Sequence, residues 1–132
     1  MIMFRIFLYV WAFPATALGL LLIPFALIGG GSVRAVQGVL EVHGGLVTRL
    51  LTFGLPWVKS GAAALTLGHV ILGRNPECLD GSRRHEHVHV RQYERWGPLF
   101  LPLYLTASLV VYLRGHDPYL ENPFEREAFE KG

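Results

Sequence analysis

The chain has 132 residues, of which 52% are hydrophobic and 17% charged, against roughly 25% charged in an ordinary soluble domain. A net charge of +2, with no lysine–arginine patch interleaved with aromatics, gives nucleic acid no footing, and none is expected as a partner. The single cysteine, Cys78, rules out a disulfide framework and a four-thiolate zinc site.

The run from Ile6 to Ile28, "IFLYVWAFPATALGLLLIPFALI", contains no acidic or basic side chain. It exceeds the roughly 20 residues that a helix needs to cross a hydrocarbon core, so residues 1–31 are expected to form a transmembrane anchor. A cleaved signal peptide is the rival reading, with Arg5 in its basic region and Ala15 to Ala17 as its cleavage site. The apolar run continues well past Ala17, which favours an uncleaved anchor. Pro14 and Pro24 are expected to kink it. Arg34 and Arg49 beyond the run, against Arg5 before it, lean the rest of the chain towards the cytoplasm.

"GGGS" (Gly29 to Ser32) reads as a flexible exit from the anchor. "GVLEV" and "LVTRLL", separated by "HGG", read as a β-hairpin with His43 at its turn. After Pro56, "AAALTLGHVILG" alternates Leu65, Leu67, His69 and Ile71 against Thr66, Gly68, Val70 and Leu72, which predicts a further strand. "RNPECLDGS" reads as a loop in which Asp80 or Ser82 caps a helix beginning at Arg83. That helix should run to Trp96 and stop at Gly97-Pro98. Pro98 to Leu113 is a second apolar run, short for a span; it fits a helix packed behind the histidine helix, a tilted span or a surface helix. The tail turns at Asp117-Pro118 and ends in an acidic helix after Pro123. The fold class is therefore α+β: an N-terminal transmembrane helix, then residues 32–132 as a small β-hairpin or sheet with helices.

The chemistry concentrates in "RRHEHVHVRQYERWG". His85, Glu86 and His89 satisfy H-E-x-x-H. Residues four apart lie above one another on a helix, so His85 and His89 direct their imidazoles at one ion. Glu86, offset by one position, reaches a water there without being a ligand. His87 points about 200° from His85 and falls outside the set. A catalytic zinc site needs a third protein ligand and an open position. The tail "NPFEREAF" offers Glu125 and Glu127, either of which reads equally well as a solvated carboxylate in a helical first turn.

H-E-x-x-H followed by a glutamate on a later helix resembles the gluzincin class of zinc metallopeptidases. The ending E-R-E-A is similar to the corresponding segment of membrane-bound HtpX-like peptidases and of ImmA/IrrE-like ones. "HEHVHVRQYERWG" with a trailing "NPFEREA" also resembles a group of small bacterial membrane proteins, and these likenesses imply that residues 32–132 hold a minimal zincin-like metallopeptidase domain. The likeness covers roughly Ala64 to Phe129. It implies His85, His89 and Glu125 as Zn2+ ligands and Glu86 as the general base of a zinc-activated water that hydrolyses a peptide or protein substrate. The implied setting is a bacterial inner membrane with the site on its cytoplasmic side. Phe129 departs from the resemblance, standing where such peptidases often have an aspartate that orients a ligand histidine.

Tyr119 and His116 are loop candidates for an oxyanion donor, and the strand at Leu65 to Ile71 for an edge that takes an extended substrate. Arg83, Arg84, Arg91, Glu94 and Arg95 cost too much to bury at mid-bilayer, at roughly 2.5–3.5 kcal/mol each, so the site belongs at the membrane surface or beyond it. Trp96, Tyr93 and Tyr104 suit that interface. Two alternatives stand beside the peptidase: a haem protein using two of His43, His69, His89 and His116, and a non-catalytic membrane scaffold.

Overall fold

Pro14 decides the shape of the N-terminal apolar run. The computed structural model describes residues 2–53 and 62–132, so the break expected at Pro56 lies outside them. In place of one anchor helix there are two, α1 (Ile2–Trp11) and α2 (Phe13–Ile28), bent by 70°. Pro14 sits in the first turn of α2, where its missing N–H is harmless, whereas in a helix running on from α1 it would lack the hydrogen bond to Val10 O and crowd that carbonyl. Pro24 lies inside α2, which continues through it. Ala15, Gly19 and Ala26 of α2 are buried. A Cβ at Gly19 would stand 2.6 Å from Val70 Cβ, so α2 lies directly on the sheet. Among the described residues, the helical stretch long and apolar enough to cross a membrane without a sharp bend is Pro76–Leu113, which comprises two helices joined by a 3-10 turn, and the N-terminal pair passes only as one bent unit.

The chain is α+β, with a four-stranded mixed sheet of order β1-β2-β4-β3. β1 (Ser32–Val36) and β2 (Val39–His43) form an antiparallel hairpin through Gln37 and Gly38, whose φ values of 52° and 81° suit a two-residue turn. The hairpin expected from "GVLEV" and "LVTRLL" does not form: its turn is at Gln37-Gly38, and His43 ends β2 instead of sitting at a hairpin turn. "LVTRLL" is the body of helix α3 (Gly45–Phe53), whose buried positions, Val47 and Leu51, are four apart rather than two. Nor is "GGGS" a loose exit: a Cβ at Gly31 would meet His43 O at 1.9 Å, so this backbone packs against the end of β2.

The run "ALTLGHVILG", expected as one strand, is a second hairpin. β3 (Ala64–Leu67) turns through Gly68 at φ +61° into β4 (Val70–Gly73), which pairs antiparallel with β3 and parallel with β2. Val42, Val70 and Leu72 pack with Ala26, Val47 and Leu51 on the face carrying α2 and α3. Val39 and Ile71 point the other way and pack with Leu79 and Val90 of α4 (Pro76–Trp96).

α4 begins seven residues before the expected Arg83. Asn75 Oδ1 accepts from Cys78 N at 2.7 Å and Pro76 follows at the first helical position, a stronger start than Asp80 or Ser82. The expected stop holds: Gly97 takes φ 58° after Trp96. A 3-10 turn (Gly97–Leu99) leads into α5 (Phe100–Leu113), and after the turn at Asp117 the tail forms α6 (Pro123–Lys131).

One buried ion pair ties α4 to the sheet. Glu41 on β2 is 1% exposed and accepts from Arg83 Nε at 2.7 Å and Nη2 at 2.9 Å, with Arg34 at 3.4 Å. Burial alone would raise the Glu41 pKa, but the two guanidiniums outweigh it and hold the carboxyl below its ordinary value. Its stabilising contribution is therefore present at neutral pH and lost as the pH falls through that lowered value. Arg83→Met strands the carboxylate and is expected to cost about 3 kcal/mol in chemical denaturation at pH 7. Arg34→Met, at an exposed position, should cost under about 1 kcal/mol. Equal losses would contradict this assignment.

Candidate metal centre

α4 presents His85 and His89 one turn apart, their ring centroids separated by 5.1 Å. α6 returns a carboxylate to them. Glu125 Oε1 lies 2.9 Å from His85 Nε2 and 3.0 Å from His89 Nε2. Among the described residues these three form the group whose ligand atoms could hold a metal ion, all within 4.8 Å of one another. A tetrahedral ion with bonds of about 2.0–2.1 Å separates its donors by roughly 3.3 Å, so small outward shifts would admit one. Glu127, the alternative third ligand, lies elsewhere: its carboxylate meets Gln92 Nε2 at 2.7 Å and Lys131 Nζ at 2.9 Å.

The position of Glu125 follows from the start of α6. Asn122 is fully buried, its Oδ1 accepting from Phe124 N at 2.8 Å while its Nδ2 donates to Tyr104 O at 3.1 Å and Ser108 Oγ at 2.8 Å. This cap docks the helix on α5 and sets Glu125 in its first turn. The Tyr104 hydroxyl then donates to Glu125 Oε2, leaving Oε1 for the histidines.

Protonation at the site follows from hydrogen bonding. Gln92 Nε2 donates to Phe124 O at 3.0 Å and to Glu127 Oε1, two acceptors that fix the orientation of its amide. Gln92 Oε1 therefore faces His89 Nδ1 at 2.7 Å and accepts a hydrogen bond from it. With Glu125 accepting from Nε2 as well, the ring holds both protons. Burial by itself would depress the His89 pKa, but the Glu125 carboxylate outweighs it and lifts the imidazole to about 9. Burial would raise Glu125, and the hydrogen bonds from His85 and His89 hold it down at about 2. His89 Nε2 would be the ligand atom if a cation were held here, with Gln92 Oε1 accepting from Nδ1–H and so keeping that tautomer, the arrangement that metal-ligating histidines use. The residues present thus could hold a metal ion. Gln92→Leu is expected to weaken zinc binding about 10–100-fold in a chelator-dye competition, and unchanged affinity would remove Gln92 from this role.

Glu86 stands beside the triad. Its Oε1 accepts from Thr66 Oγ1 at 2.9 Å, and its Oε2 lies 3.8 Å from His85 Nε2. Burial raises its pKa, the direction expected of a carboxylate that exchanges protons. Glu86, His89 and Glu125 line a cavity of about 190 Å³ whose walls include Leu65 and Leu67 of β3, Leu101 of α5, and Tyr119. Comparison with protein-family models, with curated proteins and with solved structures finds no match to this chain.

The remaining histidines are placed outside the triad. His87 turns away, with burial depressing its pKa and Glu41, Arg91 and Arg83 among its charged neighbours. His43 meets Ser32 Oγ at 2.8 Å. His69, in the β3–β4 turn, stacks on Tyr9 and meets Glu94 at 2.8 Å. His116 is exposed in the turn after α5. Phe129, in place of the aspartate of the resemblance, packs edge-on to the His85 ring at 4.5 Å.

Sequence reasoning missed Gln92, Thr66 and the Tyr104 contact. Gln92 could have been found, because it lies three residues after His89 and seven after His85, on the same helical face. Thr66 and Tyr104 reach the site from other elements, and nothing in their local sequence marks them.

Proposed function

We propose that this chain is a membrane-associated, zinc-dependent peptidase of the H-E-x-x-H type, with His85, His89 and Glu125 as ligands and Glu86 as general base. The observation that carries the reading is the return of Glu125 Oε1 to both imidazoles, with the Glu86 carboxylate beside them. When bound, zinc would supply Lewis acidity, lowering the pKa of water and polarising a carbonyl.

The protein's own groups supply the rest. Thr66 anchors Glu86 Oε1, so Oε2 is the oxygen that takes a proton from the attacking water and returns it to the leaving amine. Tyr104 and Asn122 hold Glu125 in place. Tyr119 lines the same cavity and, with burial and the nearby Glu125 and Glu86 carboxylates raising its pKa, remains a hydrogen-bond donor at neutral pH. Among the described residues β3 is an outer strand of the sheet. Because Arg74 N donates to Ala63 O across the hairpin at 3.0 Å, the alternation of antiparallel pairing turns the Ala64 backbone outward, whereas Thr66 O accepts from the buried Tyr93 hydroxyl at 3.2 Å. An extended peptide fits that edge, beside Glu86.

The test is cleavage of an unfolded protein, such as casein, by the detergent-purified full chain. Activity is expected to vanish with a chelator, return with zinc and be reduced at least about 100-fold in Glu86→Gln. Cleavage indifferent to the chelator would refute the reading.

A further inference from the structure

The polar segment that follows α5 folds back along it. Ser108 Oγ donates to Pro118 O at 2.9 Å, and Asn122 Nδ2 reaches Ser108 and Tyr104. By Glu125, bonded to the Tyr104 hydroxyl, the chain has returned to the beginning of α5. If α5 crossed the hydrocarbon, this irregular return, with exposed Leu120 and Glu121, would have to cross beside it. Tyr119, Leu120, Glu121 and Asn122 place their N–H groups on partners within the segment, but the crossing would carry the exposed charges of Arg114 and Glu121 and irregular backbone into lipid, which the hydrocarbon does not accept. α2 faces a similar restriction, since one of its sides is pressed into the sheet at Gly19 and Ala26. α1, at 10 residues, is about 15 Å long, half the thickness of the apolar core.

Yet all three helices expose large apolar side chains, among them Phe7, Leu21, Phe25, Leu105, Leu109 and Leu113. The three meet at the 3-10 turn, where Trp11 packs so closely over Gly97 that a Cβ there would stand 2.2 Å from its ring. Exposed arginines border these faces: Arg5, Arg114, and Arg95 stacked 5.6 Å over Trp96.

We infer that the chain is seated in a single leaflet of the bilayer, with α1, α2 and α5 immersed and no segment crossing. Lipid fits this surface better than a second copy. Leu103, Leu105, Leu109 and Leu113 spread over about 160° of α5, which fluid acyl chains cover and one rigid protein face does not. The bordering arginines and Trp96 match the headgroup layer. The inference does not depend on the peptidase reading.

The test replaces Cys78 with serine and introduces Gly81→Cys, on the charged part of α4, or His116→Cys, beyond the tip of α5. Right-side-out and inverted vesicles from expressing cells are treated with a membrane-impermeant maleimide. The full chain is expected to stay with the vesicles through a high-salt wash, and both cysteines to label in the same vesicle orientation. Glu121→Cys, on the returning segment, repeats the measurement if His116→Cys does not accumulate. Labelling of the two sites in opposite orientations would establish a crossing and overturn the inference. Failure of the tip to label in either orientation, or release of the chain by salt as a soluble dimer, would overturn it equally.

Discussion

Glu125→Ala is expected to lower zinc affinity by about a thousandfold or more, beyond the 10–100-fold typical of outer-shell partners, while Glu127→Ala costs at most about tenfold. Glu125 is the carboxylate that both imidazoles touch, whereas Glu127 acts only through Gln92. The metal-free proteins should also differ in their response to pH. Glu125, held at about 2, contributes stability above the ordinary carboxyl value of 4.5 that is lost as the pH falls towards 2. His89, lifted to about 9, contributes stability below 6.5 that is lost as the pH rises through 9. Denaturation of the metal-free chain should therefore show a plateau between those ordinary values and a slope on each side. Both slopes should flatten in Glu125→Ala. Because zinc must displace the His89 proton, affinity should rise with pH up to about 9. Equal losses of zinc in the two glutamate variants would move the third ligand away from Glu125.

Glu86→Gln should reduce hydrolysis by about 10²–10⁴-fold, the usual contribution of a general base, with KM and zinc content almost unchanged. The amide preserves the shape of the side chain and can still accept from Thr66 Oγ1, but it takes no proton from water. Removing a buried carboxylate whose charged form burial disfavours should leave stability intact or slightly higher. Initial rates at saturating substrate, with zinc measured on the same samples, separate the alternatives. Loss of zinc together with activity would make Glu86 a ligand.

Much of the site was legible because its strongest signals are local. The four-residue spacing of His85 and His89 depends only on the helical period, and Gly97-Pro98 closes that helix in the sequence as in space. Pro123 likewise marks the start of the helix that delivers Glu125. Choosing Glu125 over Glu127 required tertiary contacts, namely Tyr104 and the Asn122 cap on α5.

The sheet was harder to read. "LVTRLL" is rich in β-branched and apolar residues, and its helical character shows only in the four-residue spacing of Val47 and Leu51. Both hairpin turns, Gln37-Gly38 and Gly68-His69, lie inside runs whose alternation continues almost unbroken. Asn75 was overlooked as a cap because Asp80 and Ser82 offer the same chemistry closer to the motif. The absence of charge from Ile6 to Ile28 is a property of composition, whereas the bend after Trp11 and the small-residue face of α2 reflect how that segment meets the sheet.

The most direct measurement is the zinc content of the full chain purified in detergent at neutral pH, beside its His85→Ala variant. About one zinc per chain, absent from the variant while both remain folded by circular dichroism, is the predicted result. A wild-type chain with no stoichiometric zinc after zinc loading, or a variant that retains it fully, would contradict the account.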